Sequence, residues 1–264
     1  MPGLDSLHGF RPDPARKTSR VTRVFTDGLL HDLPLLGMVS PESGPALGAE
    51  NGLRLPPLRE ALRPAAKRAL DLIGAGGLLL LLAPAFLVLA GLVWMNGGGA
   101  FYAHQRVGRD GRLFGCLKFR SMVLDSQARL EALLASDPVA RAEWNATRKL
   151  KHDPRITWIG RFLRSTSLDE LPQLLNVLKG EMSLVGPRPV TASELEQYYG
   201  AAATHYASVR PGITGLWQIS GRSETSYRQR VEMDVAYVSS PSLLADLRIL
   251  IRTPLAVLSR RGAC

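Results

Sequence analysis

The sequence predicts a globular, cytoplasm-facing domain carried on an apolar membrane element. Three observations predict it. Leu72 to Met95 is a run of 24 residues without a charge. After it, no other long uncharged apolar run occurs, but short stretches with helical spacing recur. The 264 residues carry 33 Lys and Arg against 23 Asp and Glu, a formal charge of +10. That balance points to an anionic partner: nucleic acid, a phospholipid surface or a phosphorylated substrate. Aromatic content of 6% is thin for the stacking platforms of single-strand binders. The length allows one good-sized domain plus extras. Cys116 and Cys264 make no metal or disulfide pattern and fit a reducing compartment.

In chain order, residues 1–66 are expected to form a poorly ordered N-terminal tail. Prolines recur from Pro2 to Pro57 with Gly and Ser between them, and no helical or strand period persists. Arg16, Lys17, Arg20 and Arg23 make a basic cluster there, either a solvated tail or a lipid-headgroup contact. Prolines and charges follow Met1, which does not read as a secretory signal.

Residues 67–95 are the membrane element. As one straight helix the uncharged run would reach about 36 Å, enough for a hydrocarbon core of about 30 Å. Two features oppose a plain span. Pro84 follows Ala83 at the midpoint, where it removes a helix bond and favours a kink. Both flanks are basic, with Arg59, Arg63, Lys67 and Arg68 before the run and Arg106, Arg109 and Arg112 after it. Lys and Arg favour the cytoplasmic side. Each half, about 17 Å long, would reach only halfway across. A re-entrant hairpin broken at Pro84 meets all of these points, and a span meets the length. The residues leave both open.

Residues 96–264 read as the globular domain. Asn96-Gly97-Gly98-Gly99 is a turn, and a short strand or hairpin is expected around Gly108-Arg109-Asp110-Gly111. Leu124 to about Leu134 reads as helix. Asp137-Pro138 starts another, with Asp as cap and Pro first, running to about Lys149. Trp158 to Arg164 is a short amphipathic turn. Loops are expected at Gly186-Pro187-Arg188-Pro189 and Arg210-Pro211-Gly212. Ser240-Pro241 begins a last helix whose Leu243, Leu244, Leu247, Leu250 and Ile251 share one side, in the core or on a membrane surface. No βαβ alternation is evident.

The chemistry centres on Asp169 and Glu170. Ser167 and Glu170 fit a capping box. Leu171, Leu174, Leu175 and Leu178 then follow at helical spacing, and Gly180 supplies a stop. Pro172 sits more easily if Asp169 is the cap. Either cap sets both carboxylates near the positive end of a helix dipole, where they stay ionised. An acidic helix start is commonly no more than a cap. What alters the weighting is Arg120, Arg188, Arg210 and Arg222, each in a loop-like context and most beside Gly or Pro. Arginine recognises phosphate through a bidentate fork, so four of them with the pair point to a diphosphate site. No glycine-rich G-x-x-x-x-G-K loop occurs, which argues against a nucleoside triphosphatase. A carboxylate attacking phosphorus forms an acyl phosphate, and a divalent ion would neutralise developing charge. A glycosidase pair must flank its sugar about 5–9.5 Å apart, which neighbouring residues on one turn do not readily do.

The runs Lys118-Phe119-Arg120-Ser121-Met122, Asp153-Pro154-Arg155-Ile156-Thr157, Thr166 to Gln173, Asn176 to Pro189 and Arg210 to Gln218 closely resemble the bacterial sugar transferase family. These are the monotopic phosphoglycosyl transferases, and the exopolysaccharide-initiating enzymes are the nearest match. The resemblance runs from about Lys67 to Gly262 in family order. It implies an α/β, mostly helical fold with a re-entrant helix, on the cytoplasmic face of the inner membrane. It implies transfer of a sugar 1-phosphate from a UDP-sugar to polyprenyl phosphate, releasing UMP, through an aspartyl-phosphosugar intermediate and with Mg2+. The nucleophile position falls on Asp169 and the second carboxylate on Glu170, and the pair is expected to hold the metal. Arg120 takes the phosphate-binding position and Arg188 the nucleotide-proximal one, with Lys118, Arg210 and Arg222 also counted as substrate-binding. The family breaks its hairpin at Ser-Pro. Here Ala83 precedes Pro84, so no hydroxyl is available to the broken backbone. The partners expected are the UDP-sugar, polyprenyl phosphate and phospholipid, with a homodimer left open and no nucleic acid. A silent scaffold of the same fold and a basic nucleic-acid binder are the competing classes. UMP release would separate the first, and membrane partition bears on the second.

Overall fold

The computed structural model describes residues 58–147, 149–221 and 225–258. The first two helices form one bent unit. α1 (Leu58–Leu81) and α2 (Ala83–Trp94) meet at Leu82 and are bent by 67°. The bend has a local cause. Pro84, near the start of α2, has no N–H for the preceding turn, and its ring crowds the carbonyl four residues back. Among the described residues no single helix is long and apolar enough to cross a membrane. The expected tail boundary at residue 66 shifts, because 58–66 are helical. Leu58-Arg59-Glu60-Ala61-Leu62-Arg63 are good helix formers, and Pro64 is carried within α1. The basic cluster at residues 16–23 lies outside the described residues.

Three faces of α1 do different work. On the first, Lys67, Asp71, Ala75 and Leu79 succeed one another at i+4 and grip the globular domain. Asp71, buried, accepts from the Leu184 N–H and the Ser183 hydroxyl, both at 2.9 Å. Lys67 Nζ donates to Asp246 Oδ2 at 2.8 Å and to the Val185 carbonyl at 3.1 Å. Ala75 and Leu79 continue that face into the main core, with Leu174, Val177, Met182 and Ile249. A second stripe, Leu70, Gly74, Leu78 and Leu82, borders a cleft. The third is outward and bare: Ile73 is 76% exposed and Leu80 80%. Lys67 and Arg68, expected to be flanking membrane charges, are instead anchors. Arg68 donates to the carbonyls of Val177 and Leu178.

After the turn, β1 (Phe101–Val107) and β2 (Leu113–Phe119) form the expected hairpin around Arg109–Gly111, antiparallel, with Phe101 opposite Phe119. α3 (Ser126–Ser136) lies two residues later than expected. Asp137 caps α4 (Pro138–Thr147) as expected, accepting from the N–H groups of Val139 and Ala140. α5 is Trp158–Thr166, capped by Thr157, and α6 is Gln173–Lys179. Leu89 and Val93 of α2 pack with Ile159, Leu163 and Phe119 in a second core.

Beyond Gly180 the chain is more regular than its Gly and Pro content implied. β3 (Ser183–Val185) pairs in parallel with β4 (Gly212–Thr214). Three-residue strands are too short to show a period, which is why the pairing was illegible. α7 (Ala192–Tyr198) and α8 (Ala203–Ala207) lie between them. α9 (Leu216–Ser220), α10 (Tyr227–Ser239) and α11 (Leu243–Leu258) follow. The last helix divides its apolar side. Ile249 is buried and Leu250 packs on the core, whereas Leu244, Leu247, Ile251 and Leu255 are exposed. Asp246 explains its seating: buried, it accepts from Lys67 and from the Tyr237 hydroxyl at 2.7 Å.

Asp71→Ala would strip the acceptor from two buried donors. A loss of about 2–3 kcal/mol in stability is expected, read as an earlier thermal unfolding of the detergent-solubilised chain. An unchanged midpoint would show that Asp71 does not hold α1 to the domain.

Candidate active site

Asp169 and Glu170 do not open a helix. α5 ends at Thr166, and Ser167 takes a left-handed conformation (φ 58°) that turns the chain back. One 3-10 turn, Leu168–Glu170, follows, and α6 starts only at Gln173 with Pro172 in the cap position. The capping box expected at Ser167 and Glu170 is therefore absent, as is the cap at Asp169. The physical reason lies in α5, whose last turn needs a residue to reverse the chain. Ser167 fills that place, and its N–H bonds back to the Arg164 carbonyl at 3.3 Å. Gly180 does stop α6, at φ 85°.

The field on the carboxylates comes from β2. Alternate residues of a strand share a face, so Phe114, Cys116 and Lys118 point the same way. Phe114 and Cys116 are buried in the core, and Lys118 reaches past its edge. Its Nζ donates to Glu170 Oε1 at 2.7 Å and lies 3.6 Å from Asp169 Oδ2. Arg188 Nη2 stands 3.8 Å from the same Glu170 oxygen. Asn176 of α6 fixes the register. The Leu117 N–H donates to Asn176 Oδ1, and Asn176 Nδ2 donates to the Gly115 carbonyl, each at 2.9 Å. Burial holds the Asp169 carboxyl above the usual carboxylate range. Lys118 opposes that rise, the Glu170 charge adds to it, and Arg164 opposes it.

The pair opens on a cleft of about 1160 Å³, lined by Lys118, Arg120, Arg164, Arg188 and Arg230 on its polar side. Arg120 Nη2 donates to the Phe101 carbonyl at 3.2 Å, and its buried Nε has no partner among the described residues. Trp217, 6% exposed, lies under two guanidinium groups, Arg230 at 4.5 Å and Arg188 at 5.9 Å from its ring centre. Arg164 Nε is steadied by the Ser121 hydroxyl at 2.8 Å. Arg164 and Arg230 sit inside helices without adjacent Gly or Pro, so nothing in the sequence separates them from solvated helix charges. Trp217 reads as ordinary core.

The structure does not bring Arg210 to the cleft. Its Nε donates to the Gly180 carbonyl at 2.7 Å, closing the end of α6. The loops at Gly186 and Arg210 do meet, backbone on backbone: a Cβ on Gly186 would lie 2.6 Å from the Arg210 carbonyl oxygen. Arg222 lies outside the described residues. Among the described residues no group of three or more His, Cys, Asp or Glu could hold a metal. Asp169 and Glu170 offer two carboxylates, a donor set that fits Mg2+ shared with substrate phosphate and not an all-protein cage.

The model of the family described as bacterial sugar transferase matches residues 62–260. The chain belongs to the bacterial sugar transferase family. Every part of the site just described falls within the matched segment of this sugar transferase. It is 57% identical over 197 residues to the UDP-galactose-lipid carrier transferase of Erwinia amylovora, covering 75% of this chain and 41% of that protein. It is 51% identical over 207 residues to the exopolysaccharide production protein ExoY of Rhizobium meliloti, covering 77% of this chain and 91% of that one. To the UDP-glucose:undecaprenyl-phosphate glucose-1-phosphate transferase of Caulobacter vibrioides it is 39% identical, over 75% and 71% of the two chains.

The raised Asp169 carboxyl carries a stability consequence with a definite sign. A carboxyl whose folded pKa exceeds its unfolded one costs stability once the pH passes the unfolded value, and the full cost is present above the folded value. Asp169→Asn removes that charge. At neutral pH the variant is expected to unfold at the same temperature as the parent or higher. A clearly lower midpoint would mean that Asp169 supports the fold.

Proposed function

We propose that this sugar transferase moves a sugar 1-phosphate from a UDP-sugar to polyprenyl phosphate and releases UMP. The observation that carries the proposal is the placement of Asp169 and Glu170 around one ammonium, Lys118, with arginines lining the same cleft. In the first step an Asp169 oxygen attacks the phosphorus that bears the sugar. The bond from that phosphorus to the bridging oxygen breaks, and UMP leaves with the electron pair. The intermediate is an acyl phosphate carrying the sugar. In the second step a phosphate oxygen of the acceptor attacks the same phosphorus. Asp169 leaves as the free carboxylate, and the product is a polyprenyl diphosphate sugar.

Each neighbour has a part. Lys118 lies against both carboxylates and opposes the rise that burial imposes on Asp169. Arg188 and Arg230, set on the Trp217 ring, offer fixed guanidinium groups to the diphosphate. The buried Nε of Arg120, without a partner among the described residues, keeps a donor in reserve for a phosphate oxygen. Glu170, beside the nucleophile, would hold Mg2+ together with Asp169, and that ion when bound neutralises charge on the phosphates. The names of the relatives support galactose or glucose in the donor, so UDP-galactose is the first to test.

The bare outer face of α1 and the bend at Leu82 support a membrane setting in which α1 and α2 enter and return on the cytoplasmic side. Exposed apolar surface of this extent marks a membrane or a partner. Cysteines at positions 63 and 112 are expected to label from the cytoplasmic side alike. Labelling from opposite sides would restore a plain span.

The reaction is tested with purified enzyme, a panel of UDP-sugars and undecaprenyl phosphate, reading UMP. Asp169→Asn is expected to lose turnover by at least about 10³-fold while remaining folded, since an amide of the same shape cannot attack. Glu170→Gln is also expected to be severely impaired. Normal turnover by Asp169→Asn, or a phosphosugar trapped on another residue, would remove Asp169 from the nucleophile's role. No UMP from any UDP-sugar would leave the silent scaffold as the reading.

A further inference from the structure

The cleft at Asp169 has a second, chemically different part. Besides the arginines, its lining includes apolar side chains from two helices far apart in the chain. Leu70 and Leu78 of α1, with Leu82 at the bend, line it on one side, and Leu250, Pro254 and Val257 of α11 on the other. On the α11 side Leu250 also packs on the core, whereas Pro254 and Val257 lie beyond Asp246 and Ile249, which seat the helix on the domain. Neither is it the outer stripe of that helix, since Leu244, Leu247, Ile251 and Leu255 are exposed and absent from the cleft.

We infer that the limb between α1 and α11 is the seat of the acceptor's isoprenoid chain, and that the terminal helix is its second wall. The inference rests on the proposed reaction. A UDP-sugar is polar from end to end and gains nothing from an apolar wall. A polyprenyl phosphate is charged at one end and hydrocarbon at the other, the same polarity as this cleft. Its head, placed at Asp169, meets Lys118 and the arginines. Its tail, leaving that point, runs along the i+4 stripe of α1 that ends at the bend. The adjoining outer face of α1 is exposed hydrocarbon, Leu80 at 80% and Leu81 at 75%, so the limb is continuous with the surface assigned to the bilayer. The tail therefore need never leave an apolar surrounding for its phosphate to reach the carboxylates. The volume of about 1160 Å³ exceeds the roughly 300–1,000 Å³ usual for a single small ligand, as expected of a site that takes a donor and a lipid in turn.

The test narrows the limb from each side in the full chain, reconstituted in lipid nanodiscs. Val257→Trp and Leu78→Trp are compared with Leu255→Trp, which adds the same bulk to the outer face of α11. The first two are expected to raise KM for undecaprenyl phosphate about tenfold and to leave KM for the UDP-sugar within about twofold. Leu255→Trp is expected to leave both unchanged. A retained KM for the UDP-sugar reports that the fold is intact. Should either narrowing variant fail to fold, the unsubstituted protein is irradiated with a diazirine-bearing polyprenyl phosphate. Cross-links are then expected within 70–82 and 250–257. Acceptor KM unchanged in both narrowing variants, or cross-links confined to α2 or the outer stripe of α11, would overturn the limb while leaving the reaction standing. An unsubstituted protein that makes no polyprenyl diphosphate sugar would overturn the reaction, and the limb with it.

Discussion

The site depends on one buried amide. Asn176, fully buried, uses its side chain to bond both the Leu117 N–H and the Gly115 carbonyl of β2. A side chain here does what a neighbouring strand would do, and it joins a helix to a strand edge with fixed register. Lys118 is the next residue along β2. The turn holding Asp169 and Glu170 lies just ahead of the same helix. Sliding β2 by one residue would turn Lys118 to the opposite face and leave the carboxylates without their ammonium. A buried amide with only one of these bonds would carry an unsatisfied group, so the register is held by two costs at once. Glu181 takes the remaining proton of the amide at 2.6 Å, which completes its partners.

The same logic holds the bent helices to the domain. Their apolar composition would dock them anywhere on a core, since burial is non-directional. Direction comes from the polar residues at the base of α1. Asp71 reads the backbone of Leu184, Arg68 reads two carbonyls at the end of α6, and Lys67 joins Asp246. The Lys67–Asp246 pair ties α1 to α11, and the Tyr237 hydroxyl adds a third partner. Removing Lys67 would leave the buried Asp246 charge with only the neutral Tyr237 hydroxyl, which is why such a pair specifies geometry better than it adds stability. These contacts set the angle at which α1 leaves the domain. They also decide which of its faces looks into the cleft.

Much of this was legible beforehand. The apolar run, Pro84, the hairpin at Gly108–Gly111, the Asp137 cap and the Gly180 stop all depend on local chemistry, and local chemistry is written in neighbouring residues. The resemblance of motifs carried the family. Missing were the features in which partners lie far apart. The Ser167 reversal depends on where α5 ends, which no capping pattern reveals. β3 and β4 are three residues each and pair across an intervening stretch of chain. Arg210 looked like a ligand arginine because Pro and Gly follow it. Those residues instead let two loops close on each other, and its guanidinium finishes α6. Arg164 and Arg230 had the opposite fate. Nothing in the sequence marks them, because a helix hides which of its faces will meet a cleft.

Burial and charge pull against each other at Asp169, and the arrangement resolves the conflict. Burial raises its pKa, which strengthens it as a base and lessens the fraction ionised. Left alone, the carboxyl would be a stronger base but less often ionised. Lys118 corrects the ionised fraction from 3.6 Å without bonding to Asp169 as closely as it bonds to Glu170 at 2.7 Å. The closer contact goes to the partner, so the Asp169 oxygens are not tied into the shortest ion pair of the site. A lysine centred on Asp169 would lower its pKa further and tie its oxygens into the closer ion pair. Setting the ammonium on Glu170 favours the charged form of Asp169 and leaves its oxygens outside the shortest ion pair, as the proposed attack on phosphorus requires. The adjacency of the two carboxylates, unremarkable as a helix cap, is what makes that division possible.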